Sequence, residues 1–226
     1  MSGGIAVKEQ IRDFVFGMED GLVSNLGLVL GVYAGGAGSA VVLAGLASMF
    51  AGAFSMSAGS YLSAKSQREI YECEIQEAEK SLKENPQKYL KEMSILLKKE
   101  GFDEDEIKAL LHHFEHHNHS TFVTNYIQKK VGITEGKLEH PLKNSITMFF
   151  SFIGGSIFPV APFIFLDGSN AAILATSLTI VMLFAVGLTK TYYTKRSKFK
   201  AGMEVVLVGL GAALIGYLIG RLIGIM

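Results

Sequence analysis

Between Gly21 and Ala64 the chain runs for 44 residues without Asp, Glu, Lys or Arg. Crossing the hydrocarbon core takes roughly 20 apolar residues, so this stretch holds two helices. Three further uncharged stretches, Asn144 to Leu166, Gly168 to Thr189 and Val205 to Gly220, each hold one more. The expectation is an all-α polytopic membrane protein with five transmembrane helices, because within lipid a helix satisfies all its own backbone groups.

The character reverses between the second and third spans. Gln67 to Lys143 carries 15 acidic residues, 12 basic ones and all six histidines. The reading is therefore three parts: 1–66 with helices 1 and 2, a water-facing helical insert over 67–141, and 142–226 with helices 3 to 5. Within the insert, helix 2 is expected to continue from Ala64 to Leu82 and stop at Asn85-Pro86. Helices Pro86–Lys99, Asp103–His117 and Ser120–Val131 follow, punctuated by Gly101 and Gly132. Formal net charge is zero and no basic face with interleaved aromatics appears, which excludes a nucleic-acid partner. The lone Cys73 forms no internal disulfide. Met1 to Glu19 has the charges Lys8, Glu9, Arg12 and Asp13 in place of an apolar signal core, so no removable signal peptide is expected.

Lys and Arg gather on the cytoplasmic side of short loops. Lys190, Lys195, Arg196, Lys198 and Lys200 lie together, whereas Gly35 to Ser39 and Asp167 to Asn170 have none. The N-terminus, the insert and the 190–200 loop are thus expected in the cytoplasm. The membrane is expected to be a prokaryotic plasma membrane, or the vacuolar membrane in a eukaryote.

Small residues at four-residue spacing, Gly27 and Gly31 in helix 1 and Gly216, Gly220 and Gly224 in helix 5, allow close backbone approach. They suit either packing within the chain or a dimer interface. Pro159 and Pro162 in helix 3 each remove a donor and invite a kink.

The polar groups inside the spans carry the functional signal. Asp13 and Asp20 are seven residues apart on one helical face, about 10 Å along the axis at ~1.5 Å per residue. A carboxylate in hydrocarbon is costly unless it faces a cavity or a cation, so Asp20 is the leading ion or proton site. The alternative is a headgroup-level helix-start residue that complements the helix dipole. Asn25, one turn deeper, offers an oxygen ligand or a bond to a neighbouring helix. Met56, among Ser55, Ser57 and Ser60, offers a soft sulfur to borderline metals, or simply packing.

Arg12-Asp13, Asp20-Gly21-Leu22, Gly45-Leu46-Ala47, Ala51-Gly52-Ala53-Phe54-Ser55-Met56, Gly59, Tyr61 and Lys65-Ser66-Gln67 together form a pattern. It resembles the first two helices of the vacuolar iron transporter family. Gly154-Gly155 with Pro159 and Pro162, and Glu204 to Gly220, extend the resemblance over all five spans. The resemblance implies a homodimer that moves Fe²⁺, and often Mn²⁺, out of the cytosol in exchange for protons. It also implies a path lined by Asp13, Asp20 and Met56. Many members carry a carboxylate after Gly-Leu-Ala and some a Glu after the later Gly; here Ser48 and Ser60 stand there. The family's cytoplasmic domain gathers iron on glutamates and methionines. Its Pro-x-x-Glu-x-x-Glu reads Pro86, Tyr89, Glu92 here, and its Met-Met reads Tyr126-Ile127.

The insert has a histidine tract instead. His112, Glu115, His116 and His119 fall at i, i+3, i+4 and i+7, one helical face whose donors suit Zn, Fe, Ni or Cu, with Zn²⁺ or Fe²⁺ expected, or else a solvated helix end. Glu69, Glu72, Glu79 and Glu92 are candidates to complete such a site. His112-x-x-Glu115-His116 formally matches an inverted zinc-protease signature, but no third-ligand context follows and no enzyme is expected. The expectation is a proton-coupled exporter of Fe²⁺ and Mn²⁺, an antiporter with path residues Asp13, Asp20, Asn25 and Met56 and no permanent cofactor. The lipid bilayer, divalent metals, protons and a second copy are its partners. A membrane metal sensor or scaffold without flux, or a transporter of a different cation, are the rivals.

Overall fold

The computed structural model describes residues 3–117, 123, 125–129, 140–194 and 197–224, and among them there is helix and no strand. The helices are α1 (Gly3–Ala34), α2 (Val41–Glu84), α3 (Pro86–Lys99), α4 (Glu104–His117), α5 (Pro141–Val160), α6 (Pro162–Phe165), α7 (Gly168–Thr194) and α8 (Lys198–Gly224). Residues 125–129 are also helical. Most of the expected helix Ser120–Val131 lies outside the described residues. The chain divides into two compact units, Gly3–Leu62 with Pro141–Met226, and Ser63–His140.

Among the described residues, four helices are long and apolar enough to cross a bilayer: Gln10–Ala34, Gly38–Lys80, Gly168–Thr189 and Lys198–Gly224. The expected third span is shorter and broken. α5 contains Pro159 and stops at Val160, Ala161 is a turn, and Pro162 opens α6. Neither proline offers an N–H to the carbonyl four residues back, so the ladder loses two rungs within one turn. The chain recovers through Ala161 N–H to Ile157 O at 2.8 Å and Leu166 N–H to Pro162 O at 2.9 Å.

In the first unit α1 is the hub, and glycine is why. On one side Gly17 and Gly21 meet Ser151 and the Phe152 carbonyl of α5, and Gly155 of α5 returns against the Met18 carbonyl. On the other, Gly27, Gly31 and Gly35 meet Gly216, Gly220 and Gly224 of α8. A Cβ on Gly31 would lie 2.9 Å from the Gly216 oxygen, and one on Gly224 2.7 Å from the Gly35 oxygen. The small-residue rows therefore pack within the chain. Between helices in lipid there is little hydrophobic drive, so this backbone-to-backbone approach supplies dispersion contact directly.

These contacts fix the helix directions. Residues 17, 21 and 25 of α1 meet 148–151, 152 and 156 of α5, so the two run parallel, and α8 rises parallel to α1 as well. α2 runs antiparallel to α5: Gly45 meets Val160, Gly52 meets the Phe152 ring, and the Ser57 and Ser145 hydroxyls pair at 2.8 Å. α7 is antiparallel to α8, through Leu183 on Gly209 and Phe184 on Gly202. Leu22, Leu183, Val186, Val205 and Val206 make the core where α1, α7 and α8 meet. The α1–α2 connection turns on Gly36, at φ +84°, with Gly36 N–H to Tyr33 O and Ala37 N–H to Val32 O closing the helix end.

The second unit packs the end of α2, α3, α4 and residues 125–129 around a core of Tyr71, Tyr89, Met93, Leu97, Ile107, Val123, Tyr126 and Ile127. Asn85 caps α3, its side chain accepting the Lys88 N–H at 3.3 Å, and Pro86 begins the helix where its missing N–H is harmless. Gly101 at φ +96° ends it, with Gly101 N–H to Lys98 O and Phe102 N–H to Leu97 O. α4 opens on a reciprocal cap. Asp103 Oδ1 accepts the Glu106 N–H at 2.8 Å, while Glu106 Oε2 accepts the Asp103 N–H at 2.9 Å.

Candidate functional site

Asp20 lies well inside α1, which begins at Gly3, so it is no helix-start residue. From Asp20 to the far end of the helix at Ala34 there remain about 21 Å of rise, less than the ~30 Å of a hydrocarbon core. From Asp13 the same measure is about 32 Å. The two carboxylates therefore differ in depth, one at the edge of a full span and one inside it. Asp20 is half-buried, and its backbone carbonyl accepts the Ser24 hydroxyl at 2.5 Å.

Asp13 is buried although the neighbouring Arg12 is exposed. Arg12 donates to Asp13 Oδ1 from Nε at 3.3 Å and Nη2 at 3.1 Å, compensating the charge at the point of burial. Asn25 is completely buried, its amide donating to Ser156 Oγ at 2.8 Å and to the Gly21 carbonyl at 3.3 Å.

Beyond Asp20 a groove opens on the same side of α1. It is lined by Ser24, Gly27, Leu28, Gly31 and Gly35 from α1 and by Gly216, Ile219 and Gly220 from α8, and encloses about 730 Å³. It begins one turn past Asp20 and ends at Ala37. Its floor is helix backbone because glycine leaves nothing else there.

Met56 is half-buried on α2. The Ser57–Ser145 pair and the offset of 131 residues between Asn25 and Ser156 put it level with residues 15 and 16 of α1, between Asp13 and Asp20. No described contact joins Met56 to either carboxylate within the chain. Two polar partners escaped the sequence reading, Ser145 and Ser156. Both are ordinary span serines by composition; only a helix-to-helix register reveals what they face.

In the second unit Glu69, Glu72 and Glu79 are exposed on α2, and Glu69 pairs with Lys65 at 3.6 Å. Glu92 accepts a short hydrogen bond from the Tyr126 hydroxyl. Burial, with that carboxylate adding to it, pushes the Tyr126 phenol pKa upward. Tyr126 and Ile127 are core residues, and the Tyr126 ring packs on Tyr89 at 4.9 Å. Both side chains are thus spent on packing. His112 is exposed on α4, beside Lys91, Ser94 and Lys108 in an open cleft. The side chains of Glu115 and His116, and His119 entirely, lie outside the described residues. Among the described residues no three His, Cys, Asp or Glu side chains are grouped to hold a metal.

Fold and site define the class: an all-helical polytopic membrane protein that keeps carboxylates on a span. The VIT family model matches residues 11–221, and the chain belongs to that family. It is similar to Vacuolar iron transporter 1 of Eucalyptus grandis, 25% identical over 203 residues covering 89% of this chain and 81% of that one. Vacuolar iron transporter 1 of Arabidopsis thaliana is 24% identical over 95% of this chain and 86% of its own length. Protein CCC1 of Saccharomyces cerevisiae is 26% identical over 95% of this chain and 69% of its own. This is a family of transporters, and the chain is not an enzyme.

Proposed function

We propose that the chain exports Fe²⁺, and Mn²⁺ as a second substrate, from the cytosol in exchange for protons. The observation that carries this is Asp20: a carboxylate inside a span, half-buried, one turn from a groove that continues to the far helix end. An ionised carboxylate there is costly unless a cation or a proton joins it, and those two compete for the same oxygens. Competition at one group is what exchange requires. Membership of a family with relatives named as vacuolar iron transporters supports the choice of metal.

In this reading Asp13 is the cytoplasmic mouth and Asp20 and Met56 the path site, with Asn25 completely buried one turn further on and bracing α1 against α5. α5 with α6 forms the third of five spans; its parallel run beside α1 suits an odd-numbered helix in a chain that enters from the cytoplasm. The N-terminus and residues 67–141 face the cytosol. There Glu69, Glu72, Glu79, Glu92, His112, Glu115, His116 and His119 collect Fe²⁺ or Zn²⁺ before release. The working unit is a homodimer. The face of α2 carrying Leu43, Phe50 and Phe54, each more than half exposed, supports a second copy there.

Flux of Fe²⁺ and Mn²⁺ into proteoliposomes under an imposed pH gradient tests the proposal. Gradient-dependent uptake that disappears in Asp20→Ala and Met56→Ala is the expected result. Ser48 and Ser60, in place of family carboxylates, favour one rival, a different cation. Flux that neither Fe²⁺ nor Mn²⁺ competes would establish that rival, and intact protein without any flux would leave a sensor.

A further inference from the structure

Two polar atoms in the core of the first unit have no hydrogen-bond partner among the described residues: the side-chain carbonyl Oδ1 of Asn25 and the hydroxyl Oγ1 of Thr179. Both residues are completely buried. Asn25 commits its amide to Ser156 and Gly21, which leaves Oδ1 as an acceptor that needs a donor. Ser156 cannot be that donor, since its own hydrogen goes to the Phe152 carbonyl at 2.7 Å.

Thr179 departs from the habit of its helix. Thr176, Thr189 and Thr191 each return their hydroxyl to a carbonyl of the preceding turn at 2.6–2.8 Å. Thr179 does not, so its hydrogen remains to be given. Its level follows from Gly209, where a Cβ would touch both Leu183 of α7 and Val23 of α1. Since α7 descends as α1 rises, Thr179, one turn from Leu183, is level with Gly27. That is within about 3 Å of rise of Asn25.

We propose that Asn25, Ser156 and Thr179 enclose a buried hydration site holding one water molecule. The water donates to Asn25 Oδ1 and Ser156 Oγ and accepts from the Thr179 hydroxyl, so every polar group is satisfied. Buried polar groups left unpaired in a low dielectric are costly, and a site with three polar partners is what a buried water requires. The donor set selects water over the transported metal. All three oxygens are neutral, and a divalent cation here would have no compensating charge. The site ties α1, which carries Asp13 and Asp20, to α5 and α7, and it stands whatever the transported ion is.

Thr179→Val keeps the shape and deletes the hydroxyl, and the sign of its effect decides. With a bridging water, the apparent Tm of purified protein falls by about 2–6 °C, because the water loses a donor and Asn25 is left short. An orphaned hydroxyl predicts the reverse: removing it raises Tm, which overturns the site. The second measurement repeats Thr179→Val in an Asn25→Leu background, or in Ser156→Ala if that variant does not fold. Shared water makes the Thr179 effect shrink by at least half there; an unchanged effect means the two groups are independent and also overturns it.

Discussion

Alanine at Gly220 tests the glycine seam between α1 and α8. Its Cβ would run into the Gly31 carbonyl oxygen and stand 2.7 Å from the carbonyl carbon and 2.9 Å from Cα, where ordinary contact begins at 3.4 Å. None of these atoms is the end of a flexible side chain, so relief requires the helices to part. Overpacking of this kind costs about 1–3 kcal/mol. Alanine regains about 0.5–1 kcal/mol over glycine within a helix, which leaves a net loss of up to about 2.5 kcal/mol. For a chain of this size that is a fall in apparent Tm of up to about 10 °C. Gly211, on the same helix with nothing within 4 Å, is the control. Gly211→Ala meets no atom and keeps only the helical gain, so its Tm holds or rises. The assay is a thermal melt of both variants in one detergent. Equal melting of Gly220→Ala and Gly211→Ala would refute the claim that this seam is closed by backbone contact.

Asp20→Asn is expected to reduce metal flux at least tenfold while leaving Tm nearly unchanged, checked by proteoliposome uptake beside a melt; retained flux removes Asp20 from the path. Replacing His112 and His116 together by alanine should weaken Fe²⁺ or Zn²⁺ binding in equilibrium dialysis while flux persists, since these residues precede the membrane step. Tyr126 is an acid whose pKa is raised by folding. The stability it lends is complete below its ordinary pKa near 10 and drains as pH climbs through the folded value. Wild type should therefore lose Tm above about pH 10 more steeply than Tyr126→Phe, and parallel curves would contradict this. Ser57→Ala should cost about 1 kcal/mol, and Ser145→Ala should add little to it, because the pair shares one hydrogen bond.

Local chemistry was readable from the sequence wherever it acts over a few residues. Asn85-Pro86 and Gly101 bound α3 at the expected positions, because a cap and a positive φ are decided within one turn. Asp13 and Asp20 share a face for the same reason. The break at Ala161 was half visible: two prolines announced a kink, but whether helix resumed depended on hydrogen bonds that skip them. The glycine rows were visible as rows, yet their partners were not, since Gly31 and Gly220 are brought together only by the whole bundle. Asn25 and Ser156 likewise meet across 131 residues. In the second unit Tyr126 and Ile127, which the resemblance would align with a metal-binding Met-Met, are buried in the core.

The seam also dictates an order of assembly. Gly27 and its partner Gly216 are separated by 189 residues of chain. Synthesis at about 5–20 residues per second separates them by about 10–40 s. During that interval the helix bearing the two aspartates has a bare backbone stripe facing lipid. Helices made meanwhile can lean on its other side through α5, but only α8 closes this one. Truncation within α8 would therefore leave a protein with every proposed path residue in place and its central helix unsupported on one flank.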